Sequence, residues 1–254
     1  MKSRIYLTLF ICLTMYSICS AWGAGGHKIV ARIAYNRLNS ATRDSINKYL
    51  GFTTIEQAAV WMDEIKSNSN YDSLSPWHYL DITKGGSFDT LRPPNIIWGL
   101  KKVVGELKER QKYSTEHIAM DLKILFHLMG DLHQPLHTGY PGDRGGNDIK
   151  VSYEGNLTNL HRVWDTEILE ANVLSAPVEE WTNASQFSKE ELKKILRIDF
   201  EEWMNDSRSN LDIVYDFQNN KIDKKYEKRA VPIIERQLLK GGLRLGHLLN
   251  VIFK

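Results

Sequence analysis

Apolar residues recur at three- and four-residue intervals in several long segments of the chain, a pattern that predicts amphipathic helices. These segments are HKIVARIAYNRL, NIIWGLKKVVGELKERQ, EHIAMDLKILFHLMGDL, SKEELKKILRIDFEEWMND and AVPIIERQLLKGGLRLGHLLNVI. Strand-like alternation is confined to DIKVSYEG and predicts at most one short β-hairpin near residues 147–155. The stretch from Ser67 to Pro94 contains Pro, Gly, Asn and Ser and is predicted to be a long loop. The pattern therefore predicts an all-α, mainly helical fold.

The first 21 residues have the pattern of a secretion signal. Two positive charges precede a mostly apolar run over residues 5–19, and Cys19, Ser20 and Ala21 are the small residues that a signal peptidase requires. We expect cleavage after Ala21 and export to the periplasm or the medium. The alternative is that the run stays as a membrane anchor, since it is near the lower limit for crossing a bilayer. Residues 22–254 contain no Pro/Gly/Ser-rich linker and are predicted to form one domain.

Removal of this signal changes the charge and the cysteine content of the chain. Both cysteines lie within it, so the mature protein is predicted to have neither disulfides nor thiolate metal sites. Removing Lys2 and Arg4 from the 33 basic residues leaves 31, against 31 acidic ones. A formally neutral protein does not bind nucleic acid or membranes through bulk charge. Any affinity for phosphate must therefore come from a local site.

Histidines and aspartates supply the candidate chemistry. His127 and Asp131 stand four residues apart, as do His161 and Asp165. On a helix this spacing places both side chains on one face, within reach of a single zinc ion. Each pair alone is more often structural, because a helix also accommodates a buried histidine bonded to a carboxylate.

The residues around these pairs favour metal binding. Pro135 is expected to end or bend the helix after Asp131 and to turn His137 in a new direction. Asp63 and His78 stand beside tryptophan and other apolar residues, where an unpaired polar group is costly to bury. Without cysteines, this inventory predicts zinc sites made of nitrogen and oxygen ligands, with more than one metal. His117, His133 and His247 are assigned to no metal.

Six short motifs follow one another from Trp22 to Asp165: WGAGGH, WMDEIK, WHYLD, HLMGDLHQPLH, GDRGGNDI and NLHRVWD. This set resembles the zinc-dependent, single-strand-specific nucleases of the S1/P1 type, which share a largely helical fold with zinc phospholipases C. The strongest element is GDLHQPLH, within the fourth motif, which is long and specific. Beyond Asp165 only helical segments without a recognised motif follow.

The resemblance implies three Zn²⁺ ions per chain. One would be bound by Asp63, His78, His127 and Asp131. A close partner would be bound by His27, by Asp131 as a bridging ligand, and by the amine and carbonyl of Trp22. The third would be bound by His137, His161 and Asp165. All nine positions carry the expected residue.

The resemblance also implies the reaction. Three Zn²⁺ and three aspartates give a site of roughly +3 in a neutral protein, which attracts phosphate. Two zincs sharing a water would supply hydroxide for in-line attack on phosphorus, and loss of the sugar O3′ would leave a 5′-phosphate. Single-stranded DNA and RNA and 3′-nucleotides are the implied substrates, and the mature chain is expected to be a monomer that binds no membrane.

Four further residues match family positions that contact the substrate. Lys66 and Asn147 would contact the scissile phosphate, whereas a solvated lysine and a turn-forming asparagine are the structural alternatives. Tyr79 would stack on a base and Asp81 would bond its edge, worth about 1 to 3 kcal/mol for the stacking. A core tyrosine and a capping aspartate are the alternatives there.

Two other functions remain open from the sequence. A zinc phospholipase C would use the same metal chemistry on a lipid headgroup phosphate, although the HYLD stretch and the GGN turn favour nucleic acid. A non-catalytic secreted helical protein could use zinc only to stabilise its fold in place of disulfides.

Overall fold

The computed structural model describes residues 22–175 and 182–254. The predicted signal peptide, residues 1–21, lies outside the described residues. Within the described part of the chain, no helix is both long enough and apolar enough to cross a membrane.

Ten helices make up most of the described chain, which confirms the predicted mainly helical fold. They are α1 (Ala24–Asn36), α2 (Ser40–Leu50), α3 (Ile55–Glu64), α4 (Ile96–Lys108), α5 (Thr115–Asp131), α6 (Leu160–Arg162), α7 (Lys189–Ile195), α8 (Phe200–Arg208), α9 (Leu211–Val214) and α10 (Lys224–Ile252). The short α6 continues as two π-helical turns, Val163–Glu167 and Leu169–Val173.

Most helices begin at a side chain that caps them. The Thr54 hydroxyl accepts a hydrogen bond from Gln57 N, and the Gln57 side chain accepts one from Thr54 N, so α3 begins with a complete capping box. Ser114 caps α5 by accepting from His117 N. Such caps satisfy backbone N–H groups that have no partner within the helix. The sequence thereby fixes where the helices that carry the site begin.

Helix α5 lies at the centre of the domain, in contact with α1, α3 and α4. Its buried positions run without interruption from Ile124 to Asp131, so its C-terminal half is enclosed on all sides. The long helix α10 packs mainly along α1. This arrangement places the polar end of α5 inside the protein, where apolar side chains surround it on several sides.

A small sheet covers one end of the helical domain. Strand β1 (Lys150–Tyr153) pairs antiparallel with β2 (Asn156–Asn159), and β3 (Lys221–Ile222) adds to β1 in parallel. The predicted hairpin is therefore present, although its second strand lies beyond residue 155. The third strand was not predicted, because a pair of residues distant in sequence carries no alternation signal.

Two further segments differ from the expected pattern. The predicted loop from Ser67 to Pro94 contains 3-10 helices at Ser69–His78 and Phe88–Thr90. The segment SKEELKKILRIDFEEWMND forms two helices, α7 and α8, rather than one. Asp199 accepts hydrogen bonds from Glu201 N and Glu202 N and so starts a new helix inside the periodic stretch.

Candidate metal centre and cleft

Asp131, the last residue of α5, is the centre of a buried group of histidines. Its Oδ1 lies 3.3 Å from His27 Nε2. Its Oδ2 lies 3.0 Å from His78 Nδ1 and 3.3 Å from His127 Nε2. Asp63 Oδ1 lies 3.6 Å from the same His127 nitrogen. Four chain segments thus contribute side chains to one buried group around Asp131.

A second group adjoins the first. His161 Nε2 lies 2.8 Å from Asp165 Oδ2, one helical turn away, and the His137 ring lies 4.9 Å from the His161 ring. His137 Nδ1 is 3.8 Å from Asp131 Oδ1, so the two groups are neighbours. The 3-10 helix that carries His137, Pro135–Thr138, begins at a proline shortly after α5 ends, as the sequence predicted.

The spacing of these ligand atoms suits a zinc ion. Two ligands at about 2.0–2.1 Å from a tetrahedral zinc stand about 3.3 Å apart. The distances around Asp131 and Asp165 range from 2.8 to 3.6 Å. Three sets of residues have all their ligand atoms within 4.8 Å of one another here: His27, Asp63 and His127; His78, His127 and Asp131; His137, His161 and Asp165.

Backbone carbonyls orient three of the histidines. In each case ring Nδ1 donates a hydrogen bond to a carbonyl oxygen, which leaves the Nε2 lone pair directed into the cluster. The pairs are His127 with Ala59 O at 2.8 Å, His137 with His78 O at 2.8 Å, and His161 with Gly145 O at 2.6 Å. This is the tautomer that binds a metal through Nε2.

Several buried atoms of the cluster have no hydrogen-bond partner within the described chain. They include both ring nitrogens of His27, His137 Nε2 and Asp131 Oδ1. A buried polar atom without a partner costs about 1–3 kcal/mol. Several such atoms facing one another indicate that a cation completes the arrangement. The residues present therefore fit bound metal ions.

Burial and neighbouring charges set the protonation of these groups. Burial lowers the pKa of His27, and burial also lowers the pKa of His78 to about 4, so both are neutral. Burial acts to raise the pKa of Asp131, but His127 and His137 outweigh it and hold that pKa well below its usual range. For Asp63, His127 and Lys66 likewise outweigh burial and lower the pKa to about 2. Neutral imidazole and ionised carboxylate are the forms that coordinate metal.

Small residues give the histidines room to approach one another. The His27 and His127 rings stack with their centroids 4.0 Å apart, directly against Gly130. A Cβ at Gly130 would lie 2.4 Å from His27 Nδ1. Glycine at this position is therefore required for the close pair of rings.

The cluster opens into a cleft of about 640 Å³. His78, His137 and His161 lie at its base, and the four predicted substrate residues line it: Lys66, Tyr79, Asp81 and Asn147. Tyr79 is 48% exposed, although it lines the cleft. The structure thus brings together every predicted metal and substrate residue except Trp22, whose predicted ligands are backbone atoms.

The environments of the substrate residues differ. Lys66 Nζ lies 2.6 Å from Asp63 Oδ1, one turn back along the chain. Asn147 Nδ2 donates to Arg144 O at 2.9 Å. Burial, together with the nearby carboxylate of Asp143, raises the pKa of Asp81. The cleft is therefore lined by the cation of Lys66 and by the carboxyl group of Asp81.

The GGN turn has a geometric reason for its glycines. Gly145 and Gly146 adopt φ values of 61° and 81°, which side chains disfavour. A Cβ at Gly145 would also lie 2.5 Å from Leu136 O. The turn can therefore pass close to the chain that carries His137 while placing Gly145 O against His161.

Trp22 begins the described chain and is fully buried. Gly23 N donates to Asp165 O at 2.7 Å, which fixes this end beside the helix that carries the second group. Trp22 also packs against Gly26, one residue before His27. The segment that starts at Trp22 is thus held next to both groups of ligands.

Two residues that hold the site in place were not predicted. Gln134 donates from Nε2 to Asp165 Oδ1 and accepts from Leu136 N. It therefore links Asp165 to the segment that carries His137. Its position inside GDLHQPLH could have revealed it. Arg208 on α8 donates to the carbonyls of Ile82, Thr138 and Gly139, which directly follow the cleft residues Asp81 and His137 in the chain. No local sequence pattern identifies a residue so distant along the chain.

The chain also resembles known proteins over nearly its whole length. Residues 22–254 match the family model described as S1/P1 Nuclease. Endonuclease 3 of Arabidopsis thaliana is 29% identical over 98% of this chain and 95% of its own length. Nuclease S1 of Aspergillus oryzae is 30% identical over 62% of this chain and 58% of its own. Nuclease P1 of Penicillium citrinum is 24% identical over 91% and 97% respectively.

The family match extends well beyond the motifs that end at Asp165, into the helices that complete the domain. It accounts for several candidate His/Asp metal sites in one cleft, since the family depends on metal ions. The resemblance inferred from the motifs is confirmed: the chain belongs to the S1/P1 nuclease family and is a hydrolase that acts on nucleic acid.

Proposed function

We propose that this protein is a secreted, monomeric phosphodiesterase with three zinc ions, an endonuclease on single-stranded DNA and RNA that leaves 5′-phosphates. We also propose 3′-nucleotidase activity, since a terminal 3′-phosphate offers the same P–O3′ bond to the same cleft. The observation that carries the proposal is the convergence of three His/Asp groups, with unpartnered buried nitrogens, at the base of one open cleft.

The metal ligands divide into a close pair and a third site. Asp63, His78, His127 and Asp131 would bind one zinc, and His27, Asp131 and the Trp22 backbone its partner. His137, His161 and Asp165 would bind the third. When bound, zinc supplies Lewis acidity and a water whose pKa is lowered toward neutrality.

The protein side chains position the substrate around these ligands. Lys66 would donate to a non-bridging phosphate oxygen from the side of the cleft where it now contacts Asp63. Asn147 would donate its amide to the same phosphate from the GGN turn. Both donors stabilise charge that builds up on the phosphate oxygens during the reaction.

Preference for single strands follows from the exposed ring of Tyr79. A base can stack on it only after leaving the helical stack, and a pliable single strand permits this at low cost. Asp81, two residues along, would accept a hydrogen bond from the edge of that base. Because every base has a face that can stack, we expect little sequence preference.

Processing after Ala21 would complete the close pair. Cleavage there gives Trp22 a free amine, which would serve as a ligand beside His27. We expect that one extra residue before Trp22 weakens one zinc of this pair and lowers the rate. Comparison of the zinc content and activity of the two forms tests this. An extended form with the same zinc content and the same rate as the cleaved form would refute it.

The central experiment measures substrate choice and zinc content in the purified mature chain. We expect three zincs in the cleft, rapid cleavage of single-stranded DNA and RNA to 5′-phosphate ends, and release of phosphate from 3′-nucleotides. Hydrolysis of phosphatidylcholine without DNA cleavage would instead establish a phospholipase C. Bound zinc without hydrolysis of either substrate would establish a purely structural role.

Replacement of Lys66 by alanine separates catalytic from structural roles. Loss of one charge-assisted contact to phosphate should lower kcat/KM on single-stranded DNA by about 10- to 100-fold. Zinc content and melting temperature should stay unchanged. Lys112→Ala removes an exposed lysine paired with Glu109 and serves as the control. Full activity of the Lys66 variant would contradict the phosphate contact.

A further inference from the structure

A third His-x-x-x-Asp pair lies outside the cleft. His117 and Asp121 stand four residues apart near the start of α5, with the same spacing as His127 and Asp131 near its end. The sequence alone assigned His117 to an amphipathic helix and to no metal. The structure adds a further carboxylate, because Glu106 of the neighbouring helix α4 reaches the same imidazole.

The geometry of this cluster matches that of the metal centre. His117 Nε2 lies 3.0 Å from Glu106 Oε2 and 3.5 Å from Asp121 Oδ2. These distances bracket the separation of about 3.3 Å expected between ligands of a tetrahedral zinc. The three ligand atoms lie within 4.8 Å of one another, as they do in each group of the cleft. The same nitrogen faces both carboxylates, so a single ion could contact all three residues.

The buried carboxylate of Asp121 independently supports a metal site. Its side chain is buried, with the residue 2% exposed, and Oδ2 has no hydrogen-bond partner among the described residues. One N–H on His117 Nε2 can donate fully to only one acceptor, and Glu106 is the nearer. A carboxylate oxygen directed toward a partly accessible imidazole and left without a donor is available as a metal ligand.

The charges in the cluster are incompletely balanced. Glu106 is bonded to Lys102, one turn earlier on α4, whereas no lysine or arginine forms an ion pair with Asp121 among the described residues. Both carboxylates face His117 Nε2, so their negative charges repel each other. A divalent cation between the two carboxylates would remove this repulsion.

We propose that Glu106, His117 and Asp121 form a fourth zinc site, separate from the cleft, that cross-links α4 to α5. Two carboxylates and one imidazole are a ligand set that zinc accepts, and a water can fill the remaining position because His117 is partly exposed. Tyr113 stacks on the His117 ring at 4.6 Å and holds it in place. The site joins two helices of a domain whose residues 22–254 contain no cysteine.

The test compares zinc binding by the mature protein and two conservative variants, His117→Gln and Asp121→Asn. Zinc per chain is measured by native mass spectrometry and by elemental analysis at fixed free zinc. We expect each variant to bind one zinc fewer than the unmodified protein and to cleave single-stranded DNA at the same rate. His247→Gln replaces a histidine that belongs to none of the clusters and should leave the count unchanged. The difference of one zinc is diagnostic whatever the occupancy of the cleft.

Lys102 provides a variant with the opposite expected effect. It competes with the metal for Glu106, so Lys102→Met should raise the affinity of this one site for zinc by about two- to fivefold. The melting temperature of this variant should also rise more with added zinc than that of the unmodified protein. Equal zinc counts in all the variants would overturn the proposal and leave a carboxyl pair that shares a proton. A Lys102 variant with unchanged zinc affinity would likewise contradict it.

Discussion

Two buried polar clusters near the end of α5 look alike by composition but differ in how their hydrogen bonds are completed. In the metal centre, His127 gives its Nδ1–H to Ala59 O and directs Nε2 at Asp131 and His78. In the other cluster, His133 gives its Nδ1–H to Met129 O at 2.7 Å, and its Nε2 accepts from Arg244 Nη1 at 2.8 Å. The second ring is therefore satisfied by the protein alone.

We call the second cluster the His133 network, which consists of His133, Asp206, Lys240 and Arg244. Arg244 Nη1 lies 3.0 Å from Asp206 Oδ2, and Lys240 binds the other oxygen of that carboxylate. Burial and then Arg244 lower the pKa of His133 to about 3, so its ring is neutral like that of His27. Both clusters are thus buried, and each contains a neutral histidine ring. They differ at the second ring nitrogen: Nε2 of His27 and Nε2 of His137 have no hydrogen-bond partner among the described residues, whereas Nε2 of His133 accepts from Arg244.

The largest effect should come from Asp131→Asn. The asparagine side chain would keep the volume but lose the charge that bridges two predicted zincs, so we expect loss of both and a fall in kcat/KM of about a thousandfold or more. This corresponds to several kcal/mol of lost transition-state stabilisation. Zinc analysis alongside a single-stranded DNA assay checks it, with circular dichroism to establish that the variant is folded. A folded variant that binds the full amount of zinc and cleaves DNA at the normal rate would show that Asp131 is not a required metal ligand.

Arg244→Met should lower the stability of the fold without affecting zinc binding or DNA cleavage. It removes the donor to His133 Nε2 and one of the two cations that pair with Asp206, and breaking such a buried pair costs about 3 kcal/mol. We expect a lower free energy of unfolding in urea with unchanged zinc content and DNA cleavage. If zinc were lost as well, the two clusters would be coupled through the end of α5 and the comparison would fail.

Much of the site could be predicted because its ligands are carried by local motifs. The spacing of His127 and Asp131, and the proline that turns His137 away, are properties of a few consecutive residues. The helical fold follows similarly from periodicity and from caps such as Thr54. The metal ligand roles themselves, and the predicted cleavage after Ala21, stay predictions.

What could not be predicted depends on contacts between distant residues. The Arg244 bond to His133 joins residues 111 positions apart, and Glu106 meets His117 only after α4 packs on α5. The sequence pattern at His117 and Asp121 was present, but the same spacing also occurs on ordinary amphipathic helices. Only the folded structure shows that the Glu106 carboxylate faces the His117 ring, whereas a donor, Arg244, faces the His133 ring.

The smallest of the three effects should come from Gln134→Ala, and it isolates the orientation of one ligand. Gln134 bridges Asp165 Oδ1 and Leu136 N, so its loss frees the Asp165 carboxylate to rotate. Loss of a residue that orients a metal ligand lowers metal affinity by about 10- to 100-fold. We expect the rate of DNA cleavage to fall at low free zinc and to recover as zinc is added, since the ligands themselves remain.

A buried glutamine next to the His133 network supplies the matched control for that experiment. Gln237 on α10 is as buried as Gln134 and lies beside Lys240, but it contacts no predicted metal ligand. Gln237→Ala should therefore leave the zinc dependence of the rate unchanged, whatever it does to stability. Equal zinc dependence in both variants would mean that Gln134 acts only through packing. A shift confined to Gln134→Ala would establish that the hydrogen bond to Asp165 controls affinity at the third zinc, because the two substitutions remove the same atoms from equally buried positions.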